Sequence, residues 1–147
     1  MNYLKVAGAS CLAISALHVA IMIGGPAWFR YFGAGEELAQ LAEQGTWYPV
    51  AATSVITIIF ALFGAYAFSG AGKLPRMPLL KLMLGIIAAV FLIRGLAGVP
   101  MVLFGSDPEV VALGQRMGFV WITSLVSFLI GVLFVLGVVS LLRSDAD

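Results

Sequence analysis

Charge is scarce in this sequence. Asp, Glu, Lys and Arg make up 10% of 147 residues and the net charge is +1, whereas soluble domains carry about 25% charged residues. No basic block occurs, so no nucleic-acid partner is expected. There is one cysteine, Cys11. A lone thiol forms no internal disulfide and no dithiol pair, which excludes thiol oxidoreductase chemistry within the chain; Cys11 is read as a small buried residue. There is one histidine, His18, which excludes haem held between paired histidines. A metal site could draw only on His18, Glu36, Glu37 and Cys11, so no metal and no cofactor is expected.

What is abundant is apolar sequence. Hydrophobic residues reach 62% and the mean hydropathy is +1.09, values that place the chain in a lipid bilayer. Four runs, at about 4–24, 49–69, 79–104 and 118–142, reach the roughly 20 residues a helical span needs. The first is longer than a signal-peptide core and is followed by GGPAWF, which offers no cleavage site, so it is read as a retained span. The joints are short, which makes sequential helices antiparallel neighbours. The expected fold is all-α: one domain, 1–147, a four-transmembrane-helix antiparallel bundle. Lys5, Lys73, Arg76, Lys81 and Arg143 share one side, with only Arg30 and Arg116 on the other. By the positive-inside rule both termini are cytoplasmic, in an inner membrane.

Gly8, Cys11, Ser15, His18 and Met22 fall on one stripe of the first span at spacings of three and four. Small and polar residues there predict a protein-facing surface, with Ile14, Leu17 and Ile21 nearer the lipid. The second span repeats Thr53, Thr57, Ala61, Ala65 and Ser69, and the fourth repeats Thr123, Ser127 and Gly131 with Ser124 adjacent; both read as helix contacts. Ile87, Phe91, Arg94 and Gly98 share a face of the third. The first outer loop holds Pro26 at a helix start and a short interfacial helix over 36–44, with Glu36 and Glu37 in its first turn and Gly45 as its stop. Leu38, Leu41 and Ala42 form its apolar side. Trp28, Tyr31, Trp47 and Tyr48 mark the interface belt. The third loop, with Asp107 and Glu109 outside, has a helix start at Ser106 or Asp107 followed by Pro108.

Arg94 stands inside an apolar span, where a charge costs about 3 kcal/mol or more and marks a functional-site hypothesis. At about 1.5 Å per residue, His18 and Arg94 both lie roughly 21 Å from the inner edge of a core about 30 Å thick. Thr53 and Thr57 lie at about 6 and 12 Å from the outer edge, and residues 123–127 at about 8 to 14 Å. The expected site is an outward-facing pocket floored by His18 and Arg94, walled by Thr53, Thr57, Ser124 and Ser127 and covered by the loop carrying Glu36 and Glu37. Two states of Arg94 stay open. It pairs internally with Glu36 or Glu37, or its forked donors take the carboxylate, phosphate or carbonyl of an amphipathic ligand.

Size, span count and one arginine within a span resemble the DoxX-like group of small bacterial inner-membrane proteins. The resemblance implies the four-span architecture and assigns no site residue. The chain lacks the acidic and asparagine pattern of membrane glutathione-transferase-like proteins, and the glutamate of small multidrug exporters is replaced in its first span by His18.

Three functions compete. One is a binding or accessory protein holding a lipid-like or quinone-like ligand. The second is a membrane enzyme with His18 as general acid or base and Arg94 on an anionic head group. The third is a proton-coupled exporter, a homo-oligomer joined through the second and fourth spans. The topology is testable on its own: a fluorescent protein that matures only in the cytoplasm, fused after Asp147, is expected to fluoresce, and a fusion that reports only from the outside reverses it.

Overall fold

The computed structural model describes residues 2–104 and 117–144. The sequence expectations at Ser106, Asp107, Pro108, Glu109 and Arg116 lie outside the described residues. The fold is all-helical, 86% helix, with no strand among the described residues. The elements are α1 (Asn2–Gly24), α2 (Pro26–Tyr31), α3 (Glu36–Glu43), α4 (Tyr48–Gly70), α5 (Leu80–Phe104) and α6 (Met117–Ser144). Four of them, α1, α4, α5 and α6, are long and apolar enough to cross a bilayer.

A hydrocarbon environment dictates this form, because only a helix satisfies every backbone N–H and C=O within its own segment. The outward surface agrees. Val55, Ile58 and Leu62 on α4, Ile86, Val90 and Ile93 on α5, and Ile122, Leu125 and Leu129 on α6 are all exposed. In water, apolar surface of that extent marks an interaction face; along spans it is the face that meets lipid. The protein is a small multi-pass integral membrane protein.

The chain divides into two compact units, Cys11–Leu62 and Met1–Ser10 with Phe63–Asp147. In the first, α1 and α4 run antiparallel: Ser15 Oγ donates to the Thr57 carbonyl at 2.9 Å, and Ser54 Oγ lies 3.4 Å from Met22 Sδ. The stripe on α1 does face protein, with Cys11 and Ser15 buried and His18 and Met22 half-buried. Ile21 departs from expectation. It is buried in a cluster with Phe29 and Ala39, against which Phe32, Leu38 and Ala42 pack, because α2 and α3 fold back over this end of α1. The stop at Gly45 is as expected: Gly45 adopts φ +70°, and the amides of Gly45 and Thr46 return to the Ala42 and Leu41 carbonyls. That is the Schellman closure, which needs a left-handed residue.

In the second unit, α5 lies along α6 in antiparallel register. Leu92 meets Gly131, Gly95 meets Phe128 and Gly98 meets Ser124, so position rises on one helix as it falls on the other. A Cβ on Gly95 would sit 2.7 Å from the Phe128 amide nitrogen, and one on Gly131 would sit 2.8 Å from Leu92 Cγ. Small residues here let the two backbones approach, the main source of helix affinity where lipid removes the hydrophobic drive. Phe91 stacks on Phe134 with centroids 5.9 Å apart. At the other end of α5, Leu4 is fully buried and fills the space left by Gly70 and Gly137. Helix α5 continues through Pro100 to Phe104.

Glycine at position 95 is therefore a packing requirement, while a methyl group added at Gly85 on the same helix would meet open space, with no neighbouring atom within 4 Å. Gly95→Ala is expected to lower stability by about 1–3 kcal/mol, since a backbone nitrogen cannot rotate aside. Gly85→Ala is expected to be neutral or to stabilise by up to about 1 kcal/mol. Thermal unfolding in a fixed detergent compares the two.

Candidate functional site

Three groups of polar side chains stand out, each within one unit. The first holds the lid of the unit Cys11–Leu62. Arg30, in the last turn of α2, donates through Nε to Glu36 Oε2 at 2.8 Å and through Nη2 to Glu36 Oε1 at 2.7 Å. Its Nη1 donates to Glu43 Oε1 at 2.6 Å. One guanidinium thus staples both ends of α3 to α2. The hydrogen bonds from Arg30 hold the Glu36 and Glu43 carboxyls below the ordinary glutamate range and push the guanidinium pKa upward in return. All three groups are well exposed, and exposed pairs contribute little unless the geometry is bidentate or networked; this one is both. The signal for it is present in the sequence, since Arg30 is the cation nearest along the chain to Glu36, Glu37 and Glu43. Both oxygens of Glu36 are engaged by Arg30, whereas Glu37 is exposed on the first turn of α3.

The second group, in the same unit, comprises His18 on α1 and Thr53 and Thr57 on α4. The His18 Nδ1 lies 2.8 Å from the Ile14 carbonyl oxygen one turn back. A carbonyl only accepts, so Nδ1 carries the hydrogen and, in the neutral ring, Nε2 presents a lone pair. The imidazole sits against Phe60 with centroids 5.4 Å apart. Of the predicted wall residues, Thr53 is buried, and Thr57 Oγ1 donates to the Thr53 carbonyl at 2.8 Å. Thr57 serves α1 through its own carbonyl, which accepts from Ser15.

The third group is in the other unit, on α5 and α6. Ser124 is 3% exposed, and its Oγ is a buried polar atom with no hydrogen-bond partner among the described residues. That oxygen occupies the place a side chain would take at Gly98, and Arg94 Nη1 lies 3.9 Å from the same point. Arg94 itself is exposed. Two of the predicted site residues, Arg94 and Ser124, are therefore brought together by the missing side chain of Gly98. Ser127 is half-buried one turn along α6. Thr123, from the predicted four-residue repeat, donates back to the Phe119 carbonyl at 2.9 Å. Among the described residues, no three His, Cys, Asp or Glu side chains converge.

Comparison with protein-family models, with curated proteins and with solved structures finds no match. The functional reading therefore rests on the chemistry of these groups.

The lid gives a pH prediction whose sign follows from the lowered carboxyls. Their contribution is fully present above the ordinary glutamate value of about 4.3 and is lost as pH falls below it, through the lower folded-state values. Amide protection in α3, corrected for intrinsic exchange, is expected to hold at neutral pH and fall in acid below that value. Arg30→Gln is expected to remove most of the pH dependence.

Proposed function

We propose that this protein is a binding or accessory membrane protein that holds an amphipathic, lipid-like or quinone-like ligand through Arg94 and Ser124. The observation that carries the reading is the orphaned Ser124 hydroxyl beside the guanidinium. A buried hydroxyl left without a partner costs about 1–3 kcal/mol, and a guanidinium within a span costs more. One ligand oxygen, from a phosphate, carboxylate or quinone carbonyl, relieves both by accepting from Nη1 and from Oγ–H. An arginine fork suits such an acceptor better than a point charge does. In this reading the termini are cytoplasmic, the membrane is the bacterial inner membrane, the relationship to DoxX-like proteins is one of architecture, and the ligand enters from the outer leaflet. Ser127, on the same helix as Ser124, is a subsidiary candidate for its remaining polar atoms.

A second reading, a membrane enzyme, is favoured by one observation. Hydrogen bonding of Nδ1 to Ile14 orients the neutral His18 ring with Nε2 as the available base, as general-base chemistry requires. His18→Gln separates the readings, because it removes the candidate base and leaves Arg94 and Ser124 themselves unchanged.

The test of the main reading is mass spectrometry of ligands retained by protein extracted in native-lipid discs. A charge-assisted hydrogen bond contributes about 1.5–3 kcal/mol, so Arg94→Ala is expected to lower retention of the bound amphiphile by about tenfold or more. Ser124→Ala is expected to lower it by about fivefold without loss of thermal stability, since it removes an unsatisfied group. Full retention by Arg94→Ala overturns the proposal.

A further inference from the structure

The described residues of the unit that carries Arg94 contain no Asp and no Glu, so among them the guanidinium finds no counter-charge. Arg94 precedes Met101, the nearer end of its span, by two turns, which puts its backbone about 10 Å inside the hydrocarbon. Long side chains in a helix ordinarily lean toward the N-terminus. That of Arg94 runs the other way, with Nη1 3.9 Å from the place of a Cβ at Gly98, one turn nearer Met101. The Ser124 hydroxyl turns to the same place. Serines in helices commonly return their hydrogen to a carbonyl four residues back, but the Val120 carbonyl already accepts from Thr123 Oγ1 at 3.2 Å, and Ser124 Oγ is left over Gly98 without a partner.

Two donors, one of them charged, thus converge on one point, and the surface around them is apolar. Arg94 is exposed, and Ile93, Leu96 and Met101 along the same helix are 66%, 64% and 61% exposed. These conditions select among acceptors. A quinone carbonyl or another neutral oxygen takes the hydrogen bonds but leaves the charge unmatched in a medium that screens it little. A zwitterionic head group brings a cation of its own to the guanidinium. A water-borne anion matches the charge, but it has to shed its water to reach this depth and makes no use of Ile93 and Leu96. An anion carried on an acyl chain meets both conditions.

We propose that the ligand of the Arg94 and Ser124 site is an anionic lipid, whose charged oxygen neutralises Arg94 at Gly98 while its chain lies along Ile93 and Leu96. The inference rests on the reading of Arg94 as a ligand-binding residue and narrows it: charge, and not hydrogen bonding alone, selects the ligand. A carboxylate and a phosphate share the required chemistry, an oxyanion that only accepts, and an arginine fork suits either.

Native mass spectrometry of the full chain tests this, with oleate, phosphatidylglycerol, phosphatidylcholine and ubiquinone as probes. Oleate or phosphatidylglycerol is expected to survive gas-phase activation that strips phosphatidylcholine and ubiquinone, and whichever of the two is held tells a carboxylate source from a phosphate one. Arg94→Gln keeps a hydrogen-bond donor and loses the charge; it is expected to lower retention of the anionic lipid about tenfold. Arg94→Lys keeps the charge and is expected to keep the preference. Lys73→Gln makes the same charge change in the loop before α5 and is expected to leave retention as it is. If ubiquinone is held as well as the anionic lipids and is lost in Arg94→Ala, the anionic assignment is overturned while the Arg94 reading stands. Full retention of the anionic lipid by Arg94→Gln also overturns the assignment, as do equal effects of Lys73→Gln and Arg94→Gln, which mark diffuse attraction. Displacement by millimolar acetate or inorganic phosphate overturns the lipid part, because the chain contact is then absent. Retention of every probe by Arg94→Ala overturns the Arg94 reading and this inference together.

Discussion

Within a bilayer, a hydroxyl or an amide has no water to turn to, and that single restriction orders most of what the helices of this protein do. Side-chain oxygens along the spans spend their hydrogens on carbonyls: Ser10 on Val6, Ser54 on Val50, Thr57 on Thr53 and Thr123 on Phe119. Each bond returns to the preceding turn of the same helix, an arrangement that hides a polar group at little conformational cost. Ser15 is different because its hydroxyl crosses from α1 to the Thr57 carbonyl on α4. Such a bond ties two helices that lipid does nothing to drive together. Against this background an orphan is informative, and Ser124 is one among the described residues.

The packing of α5 on α6 explains how that orphan arises. Glycines at 95, 98 and 131 allow the two helices to come close enough that Ser124 enters the space above Gly98. Close approach buries the hydroxyl, and the same approach leaves the guanidinium of Arg94 beside it. Stability and site chemistry therefore share one cause, the absence of side chains at a few positions. The lid of the other unit follows different rules. It is exposed and its α2 and α3 helices are short, so it is held by a small apolar cluster around Ile21, Phe29 and Ala39 and by the ion pairs of Arg30. Ion pairs exposed to water respond to acid, whereas the interhelical contacts of the spans do not.

Much of this is legible in the chain without coordinates. The four spans, the short helix starting at Glu36, the stop at Gly45 and the protein-facing stripe from Gly8 to Met22 all follow from length, period and turn chemistry. Where sequence and structure part, the cause is identifiable. Helical period alone puts Ile21 toward lipid, because it cannot register that a later loop folds back over that residue. Arg30 is not paired with Glu36 in the sequence reading, yet it is only a few residues away in the chain and engages both oxygens of that carboxylate. On α6 a strict four-residue repeat draws attention to Thr123 and Ser127. Four residues overshoot the 3.6-residue turn, and the α6 residues seen against α5 include Ser124, Phe128 and Phe134 beside Gly131 of the repeat.

The sequence by itself determined that this is a helical protein of the membrane, because apolar runs of that length can satisfy their backbone in lipid in no other way. It also determined that an ionisable group lies within one of the spans, since position along a helix translates directly into depth. Only the tertiary structure decided which polar atoms are already satisfied and which are left over. Partnership depends on the approach of two backbones to within a few tenths of an ångström, and that distance is set jointly by residues, such as Gly98 and Ser124, that are remote in the chain.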